Sequence, residues 1–369
     1  MKIGILGTRG VPPRYGGFET FAAELGVRLV ERGHSVSVYC RAPLTRSRRA
    51  GPGEGQWNGI DRIVLLAIRH KYFETVSHAL LSAIDALRRH FDVVLVCNAA
   101  NAFVLPILRA ARIPVAINVD GIERRRRKWN LLGRMVYGVG ESLSVLFADR
   151  IVADAQVIAD YYRERYSADA TVIPYGSDFP DERDTDVLQR LGVSPRNYIL
   201  YVSRFEPENN PLEVVEAYEK VVGGAPLVMV GEGMYAKELV RNLQRHASDR
   251  VRFPGAIYGA DYQTLQRNAL IYIQATEVGG THPAMIEAMA SGGLVLAHDT
   301  PENREVGGDA VRYFQLRPVE NLSGMLRECL GGTTEVEGLR RRARDRAGSR
   351  YRWDEVTKSY ENLLGELSR

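Results

Sequence analysis

From residue 2 to residue 314 the chain repeats one rhythm, an apolar run followed by a stretch of helical periodicity. That alternation limits the fold more than any other feature. In the first half the expected strands are Lys2–Thr8, Ser35–Arg41, Arg62–Ile68, Asp92–Asn98, Val115–Asp120, Arg150–Ala155 and Ala170–Pro174. In the second half they are Tyr198–Arg204, Pro226–Gly231, Val251–Gly255, Ile271–Ala275, Leu294–His298 and Ala310–Phe314. Phe18, Phe21, Ala22, Leu25 and Leu29 recur at helical spacing after the first run, with Gly33 as a stop. Strands apolar along their length and joined by helices make parallel sheets covered on both faces.

The segment Tyr175–Thr185, YGSDFPDERDT, is rich in turn formers and charge and is the expected linker. It divides the chain into an N-terminal domain, 1–175, and a C-terminal domain, 176–350. The last part, Leu339–Leu367, reads helical with a break near Gly348, and the final stretch, 351–369, is expected to cross back to the first domain. The fold class is α/β, two Rossmann-like, doubly wound parallel-sheet domains facing across a cleft. Ligands in such sheets sit at the carboxyl ends of the strands.

Length and composition agree with this division. A chain of 369 residues exceeds one typical core. Its 45% hydrophobic and 25% charged content is that of a soluble globular enzyme. No apolar run approaches the roughly 18 residues of a membrane span, and MKIGILGTRG reads as a first strand, not a signal peptide. Cys40, Cys97 and Cys329 are odd in number and far apart, as expected of reduced core thiols in a cytoplasmic protein. The net charge of +4 hides an excess of cations in the first 175 residues and of carboxylates in the rest, which suggests that the first half faces something anionic.

Two glycine turns carry the chemistry. The first, GTRGVPPRYGGFET (residues 7–20), places Gly16 and Gly17 immediately before a helix. It departs from the dinucleotide GxGxxG spacing, and Arg41 stands where a ribose-binding carboxylate would end the second strand, so a nicotinamide dehydrogenase is set aside. The second, in EVGGTHPAMIEAMASGGLVLAH (residues 277–298), has Gly279 and Gly280 free to approach a ligand, Thr281 as a cap and Pro283 in the first helical turn. The unpaired amides of such a helix start favour a dianionic group. Glu287, one turn further in, is placed to accept from a sugar hydroxyl.

Further motifs in order, VDGIERRRRKW (119–129), IPYGSD (173–178), SRFEPENNP (203–211) and HDTPENREV (298–306), complete a resemblance over essentially the whole chain. The sequence resembles the retaining glycosyltransferases of the GT-B fold, fourth family, and within it the rhamnosyltransferase-like branch that builds bacterial surface polysaccharide. The resemblance implies that Gly16 and Gly17 approach the donor phosphates, that Arg204 neutralises the diphosphate, and that Glu287 holds the donor ribose. Two departures stand out. The first Glu of the family's Glu-x7-Glu motif falls at Gly279, with Glu277 two residues earlier, and the Lys expected five positions after the Arg is Asn209.

The implied activity is transfer of rhamnose or a similar hexose from a nucleoside-diphosphate sugar to a lipid-linked or oligosaccharide acceptor. No nucleophile motif and no DxD-like metal motif is evident, so a metal-independent site with no cofactor is expected. Arg204, Asp120 and Glu277 are the catalytic candidates. Donor contacts are expected from Gly16, Gly17, Arg204, Gly279, Gly280, Thr281, His282, Glu287, Asn303 and Arg304. Asp120 reads equally as an acceptor-orienting carboxylate or a cap, and His282 as a ligand contact or a solvated first-turn residue. Asp154 and Asp178 read as caps or turn residues.

The run Arg124, Arg125, Arg126, Arg127 and Lys128 is either a solvated face or an approach for an anionic acceptor or inner-membrane surface, a sign shared by Arg46, Arg48 and Arg49. With a single Trp beside it and no recognised binding module, nucleic acid is set aside. The rival readings are a sugar-nucleotide epimerase or phosphorylase of the same fold, and a catalytically silent nucleotide-sugar-binding subunit.

Overall fold

The computed structural model describes residues 1–13, 16–42, 55–68, 73–127, 129–178, 185–233, 236–332 and 335–369. It divides into two units. The first comprises Met1–Arg125, Trp129–Gly176 and Trp353–Arg369, and the second Arg126–Lys128 and Ser177–Arg352. Residues 179–184 of the expected linker, the loop bearing Arg46, Arg48 and Arg49, and Lys128 lie outside the described residues.

The first unit is built on β1 (Lys2–Leu6), β2 (Ser35–Arg41), β3 (Gly55–Trp57), β4 (Ile60–Leu65), β5 (Val93–Cys97), β6 (Val115–Val119), β7 (Arg150–Ala153) and β8 (Thr171–Val172). They form one sheet in the order β3-β4-β2-β1-β5-β6-β7-β8. All neighbours are parallel except β3, which pairs antiparallel with β4. Register sets Ile3 beside Val36 on one side and Val93 on the other. The central strand VVLVC is buried at every position, as a sheet covered on both faces requires. Order reverses between β1 and β5, so the crevice of this unit opens past Leu6 and Cys97.

Helices Phe73–Ala86, Leu105–Ala110 and Gln156–Tyr166 close over one side of this sheet, where Ala79, Ala83, Leu105, Leu108, Ile158 and Tyr162 join Leu6, Val94, Val96 and Ile117 in one core. Helix Gly17–Glu31 packs with the C-terminal helix Trp353–Leu367. Phe21 and Tyr360 rings meet at 5.2 Å, and Asn118 Nδ2 donates to the Tyr360 hydroxyl at 2.6 Å.

The second unit holds β9 (Ile199–Val202), β10 (Leu227–Val230), β11 (Val251–Gly255), β12 (Ile271–Gln274), β13 (Leu294–His298) and β14 (Arg312–Phe314). They form a parallel sheet in the order β11-β10-β9-β12-β13-β14. Its reversal falls between β9 and β12. Ile199, Tyr201, Leu227, Met229, Ile271 and Leu296 carry its core.

The sequence reading differs from the structure in instructive places. β1 ends two residues before Thr8 because Gly7 takes φ +93, which no strand accommodates. The three-residue edge strand GQW has no apolar run to announce it. The C-terminal break falls at Tyr351–Arg352, between helices Val336–Arg350 and Trp353–Leu367, and Gly348 lies inside the first of these. Cys40, Cys97 and Cys329 are buried free thiols.

Candidate active site

In the first unit the loop after β1 approaches the start of helix Gly17–Glu31. Gly16 is the residue before that helix, but its φ of −169 and ψ of −172 are extended geometry open to any residue. The glycines under geometric demand are Gly7 and Gly10, at φ +93 and +111. A Cβ on Gly7 would lie 2.3 Å from the Cys97 carbonyl oxygen, and one on Gly10 2.5 Å from Cys40 Sγ. They let β1 turn directly over the ends of β5 and β2. No side chain caps the helix start at Gly16–Gly17.

Beneath this turn lies an ion cluster that no sequence motif announced. Glu19 is buried and accepts from the Arg9 amide at 2.8 Å. Burial raises its pKa, opposed by that hydrogen bond and by the Arg41 and Arg9 cations. Glu74 meets Arg9 and Arg41, each at 3.3 Å. Arg41, which stands at the dehydrogenase's acidic position, is therefore held by a carboxylate from the next helix.

Asp120 follows β6, and the buried Tyr175 hydroxyl donates to its Oδ2 at 3.1 Å. Both the acceptor and the cap reading of Asp120 survive, with one oxygen now oriented. Asp154 is buried just past β7.

The arginine run is not one solvent-facing patch. Glu123–Arg125 is a 3-10 turn in which Arg124 and Arg125 lie over the Tyr161 ring, and Arg124 also approaches Glu141 at 3.6 Å. Arg126, only 7% exposed, belongs to the second unit and meets the fully buried Glu208 at 3.5 Å. Arg127 donates to Glu277 Oε1 at 2.6 Å. Arg126 alone is buried, while Arg125 and Arg127 stay exposed with an aromatic ring and a carboxylate beside them, so the run does not act as one uniform face.

In the second unit the loops after β9 and β12 are tied together at the topological switch. The Glu277 amide donates to the Glu208 carbonyl at 2.9 Å, and Asn210 Nδ2 donates to the Ala275 carbonyl at 2.9 Å. Arg204 stands at the end of β9, half-buried, with Glu206 at 3.8 Å. Asn209, in place of the family Lys, donates from Nδ2 to the Arg204 carbonyl at 2.7 Å and so shapes the loop that carries Arg204.

Gly279, Gly280 and Thr281 are buried ahead of helix Pro283–Ala290. The residue that precedes the helix is His282, not Thr281, and the His282 side chain makes no cap hydrogen bond. A Cβ on Gly279 would meet the His282 ring at 2.4 Å. A Glu at this position would therefore displace His282. Burial, with the Arg126 cation adding to it, lowers the His282 pKa to about 4, so the ring is neutral near pH 7.

Glu287, one turn along, accepts a hydrogen bond from the Tyr262 hydroxyl, and Gln266 Nε2 donates to that hydroxyl at 2.8 Å. Tyr262 and Gln266 were missed because helix Gly259–Asn268 carries no motif.

The two weaker donor candidates are engaged elsewhere. Asn303 is fully buried, its Nδ2 donating to the carbonyls of His298 at 2.9 Å and Thr276 at 3.3 Å. Arg304 grips both oxygens of Asp299 and lies over the Tyr313 ring at 4.6 Å. Its planar fork is satisfied at the surface by that carboxylate. Among the described residues, no group of three His, Cys, Asp or Glu side chains is placed to hold a metal ion.

This arrangement agrees with what the chain is similar to. Residues 15–179 match the family model described as Glycosyltransferase Family 4, and residues 185–346 match Glycosyl transferases group 1. The chain is a glycosyltransferase of the GT-B fold.

Sucrose-phosphate synthase from Thermosynechococcus elongatus superposes on this glycosyltransferase with a TM-score of 0.84 at 18% identity, covering 99% of this chain and 98% of that one. Anabaena HepE in complex with UDP-glucose gives 0.79 at 15% identity, covering 99% of each. Among curated proteins, the alpha-monoglucosyldiacylglycerol synthase of Streptococcus pneumoniae is 23% identical over 202 residues. That match spans 51% of this chain and 46% of the relative.

Proposed function

We propose that this glycosyltransferase works with retention, moving rhamnose or a similar hexose from a nucleoside-diphosphate sugar to a lipid-linked acceptor in surface polysaccharide assembly. The observation that carries the donor half is the ordered edge of the second sheet at β9 and β12. There Arg204, the start of helix Pro283–Ala290 and an oriented Glu287 stand near loops tied to one another. A diphosphate suits the first two and a ribose hydroxyl the third. HepE, of the same fold, holds UDP-glucose.

The missing Lys has a replacement in this reading. Arg126 is anchored by Glu208, the neighbour of Asn209, and lies close enough to lower the His282 pKa. It supplies the second cation for the leaving diphosphate. In the transfer the anomeric carbon–oxygen bond to the diphosphate breaks, the acceptor oxygen bonds that carbon on the same face, and the acceptor proton passes to the leaving phosphate oxygen. The enzyme contributes position and positive charge. Neither a metal nor a cofactor is needed for that step.

For the acceptor, similarity to a glucosyldiacylglycerol synthase favours a lipid-borne group, and similarity to sucrose-phosphate synthase favours a sugar phosphate as the second reading.

The test is a thermal-shift screen over dTDP, UDP and GDP and their sugars, with and without magnesium and chelator. A ligand at 100 times its dissociation constant adds about 2.7 kcal/mol. A raised melting temperature with at least one nucleoside diphosphate, independent of magnesium, is expected, followed by turnover against lipid-linked and sugar-phosphate acceptors. No shift with any nucleotide would remove the donor assignment. Binding without turnover on any acceptor would favour the silent subunit, and release of free or isomerised sugar without acceptor would favour the epimerase.

A further inference from the structure

Two helices of the first unit are amphipathic in the reverse sense. Helix Phe73–Ala86 turns small or polar residues inward, with His78, Ala79, Ser82, Ala83 and Ala86 buried. Its solvent side carries Val76, Leu80 and Ile84, continued by Leu87, each at least 40% exposed. Helix Leu131–Phe147 repeats the pattern. Gly133, Gly140 and Ser144 face the core, and a Cβ on Gly140 would lie 2.4 Å from the Ala99 carbonyl oxygen. Outward stand Leu132, Val136, Val139 and Leu146, at 56–68% exposure. Their spacing of three, four or seven residues makes a stripe along each helix.

The short helix Leu105–Ala110 contacts both, so the two helices are neighbours. Isolated exposed leucines are ordinary, but two neighbouring apolar stripes with small residues beneath them mark an interaction surface.

The charges around the stripes are mainly cationic. Every carboxylate of these three helices is engaged away from the stripes: Glu74 with Arg9 and Arg41, Asp85 with Tyr39 and Arg89, Glu141 with Arg124, Tyr161 and Tyr166. The exposed cations are Arg88, Arg109, Arg112 and Arg134, and one exposed carboxylate, Asp149, lies 3.5 Å from Arg109. A second copy brought against this face would set arginine against arginine, whereas anionic headgroups would pair with them. At 14 and 17 residues the helices are too short to span, and no described helix is long and apolar enough to cross a membrane.

We infer that helices Phe73–Ala86 and Leu131–Phe147 dock the first unit onto an anionic lipid surface, apolar stripes in the acyl boundary and arginines at the phosphates. The inference deepens the proposed lipid-linked acceptor and rests on it for purpose. The stripes share no residue with the donor candidates Gly16, Gly17, Arg204 and Glu287, so each reading can fail alone.

The test sediments the full chain with vesicles of phosphatidylcholine alone and of an equal mixture with phosphatidylglycerol, at low and high salt. Binding to the anionic vesicles that weakens with salt is expected. The pairs Leu80→Glu/Ile84→Glu and Val136→Glu/Val139→Glu should each lower vesicle affinity by at least about tenfold, with circular dichroism and the thermal response to nucleoside diphosphates unchanged. Arg124→Ala/Arg125→Ala, whose side chains lie on Tyr161, should bind as the parent does. Equal binding to neutral vesicles, or Glu variants that bind like the parent, would overturn the inference. So would a dimer by light scattering that the Glu pairs dissociate while no form binds vesicles.

Discussion

The Tyr262 hydroxyl donates a hydrogen bond to the Glu287 carboxylate, across two helices 25 residues apart in sequence. Gln266, one turn after Tyr262, donates to that same hydroxyl and also to the Ala284 carbonyl, so the phenol is held in register. One oxygen of the proposed ribose-binding group is thereby fixed before any ligand arrives.

Removing that hydroxyl tests whether the orientation matters. Tyr262→Phe deletes one hydrogen bond to a charged group, a loss of about 1.5 kcal/mol or roughly tenfold. Steady-state kinetics should show it as a raised donor KM with kcat within about twofold. An unchanged KM would mean that Glu287 is not a donor contact.

Arg204 carries the larger effect. Arg204→Ala should lower kcat about 100-fold, the cost of losing one well-placed donor to a developing oxyanion, about 3 kcal/mol. Arg204 is half-buried and meets Glu206 at 3.8 Å, a separation at which an ion pair adds little, so the loss should show in turnover ahead of the melting temperature. A large stability loss with normal turnover per folded molecule would reverse the assignment.

Arg126 and Glu208 make a buried pair, and breaking one side strands the other. Arg126→Met alone should destabilise the second unit by about 3 kcal/mol, and the double variant Arg126→Met/Glu208→Leu should recover much of that in denaturant unfolding. Turnover should stay low in both, because the cation is gone. Recovery of activity in the double variant would exclude a role for Arg126 at the diphosphate.

The glycines separate by geometry. Gly7→Ala forces a left-handed φ on alanine and a Cβ into the Cys97 carbonyl, and should cost about 3 kcal/mol or more, read as a lost or sharply lowered melting transition. Gly16→Ala meets only Glu19 Oε2, at 3.4 Å, with extended backbone, and should fold normally. If Gly16 approaches the donor phosphates, that folded variant should still lose donor affinity.

Acid should weaken the first unit through His78. Burial, then the Arg41 cation, lowers its pKa to about 4, with a Cys40 backbone hydrogen bond and Glu74 opposing. In the unfolded chain the ring titrates near about 6.5. Between those values the unfolded state binds more protons, so stability falls as pH drops below about 6.5 and levels off near 4. The loss reaches about 2 kcal/mol by about pH 5. Urea titrations at about pH 7 and about pH 5 should show it, and His78→Leu should flatten the slope. His282 imposes the same sign on the second unit.

The two sheets, their order of strands and helices, and the glycine turn ahead of Glu287 were legible in the sequence. They rest on local periodicity, runs of buried Val, Ile and Leu that only parallel strands accommodate. What the sequence could not carry were relations between distant residues: Tyr262 on Glu287, Glu208 on Arg126, the Arg9–Glu74–Arg41 cluster, and Gly7 rather than Gly16 under conformational demand.

A single charge pattern shows the reason. Arg124 to Arg127 are equivalent as letters, yet two lie on an aromatic ring, one is buried and one is paired. The same holds for the apolar stripes at Leu80 and Val136, which periodicity alone assigns to a core. Periodicity reports that a helix has an apolar face. Only the packed sheet decides which face it covers, because burial is set by the neighbours that the fold supplies.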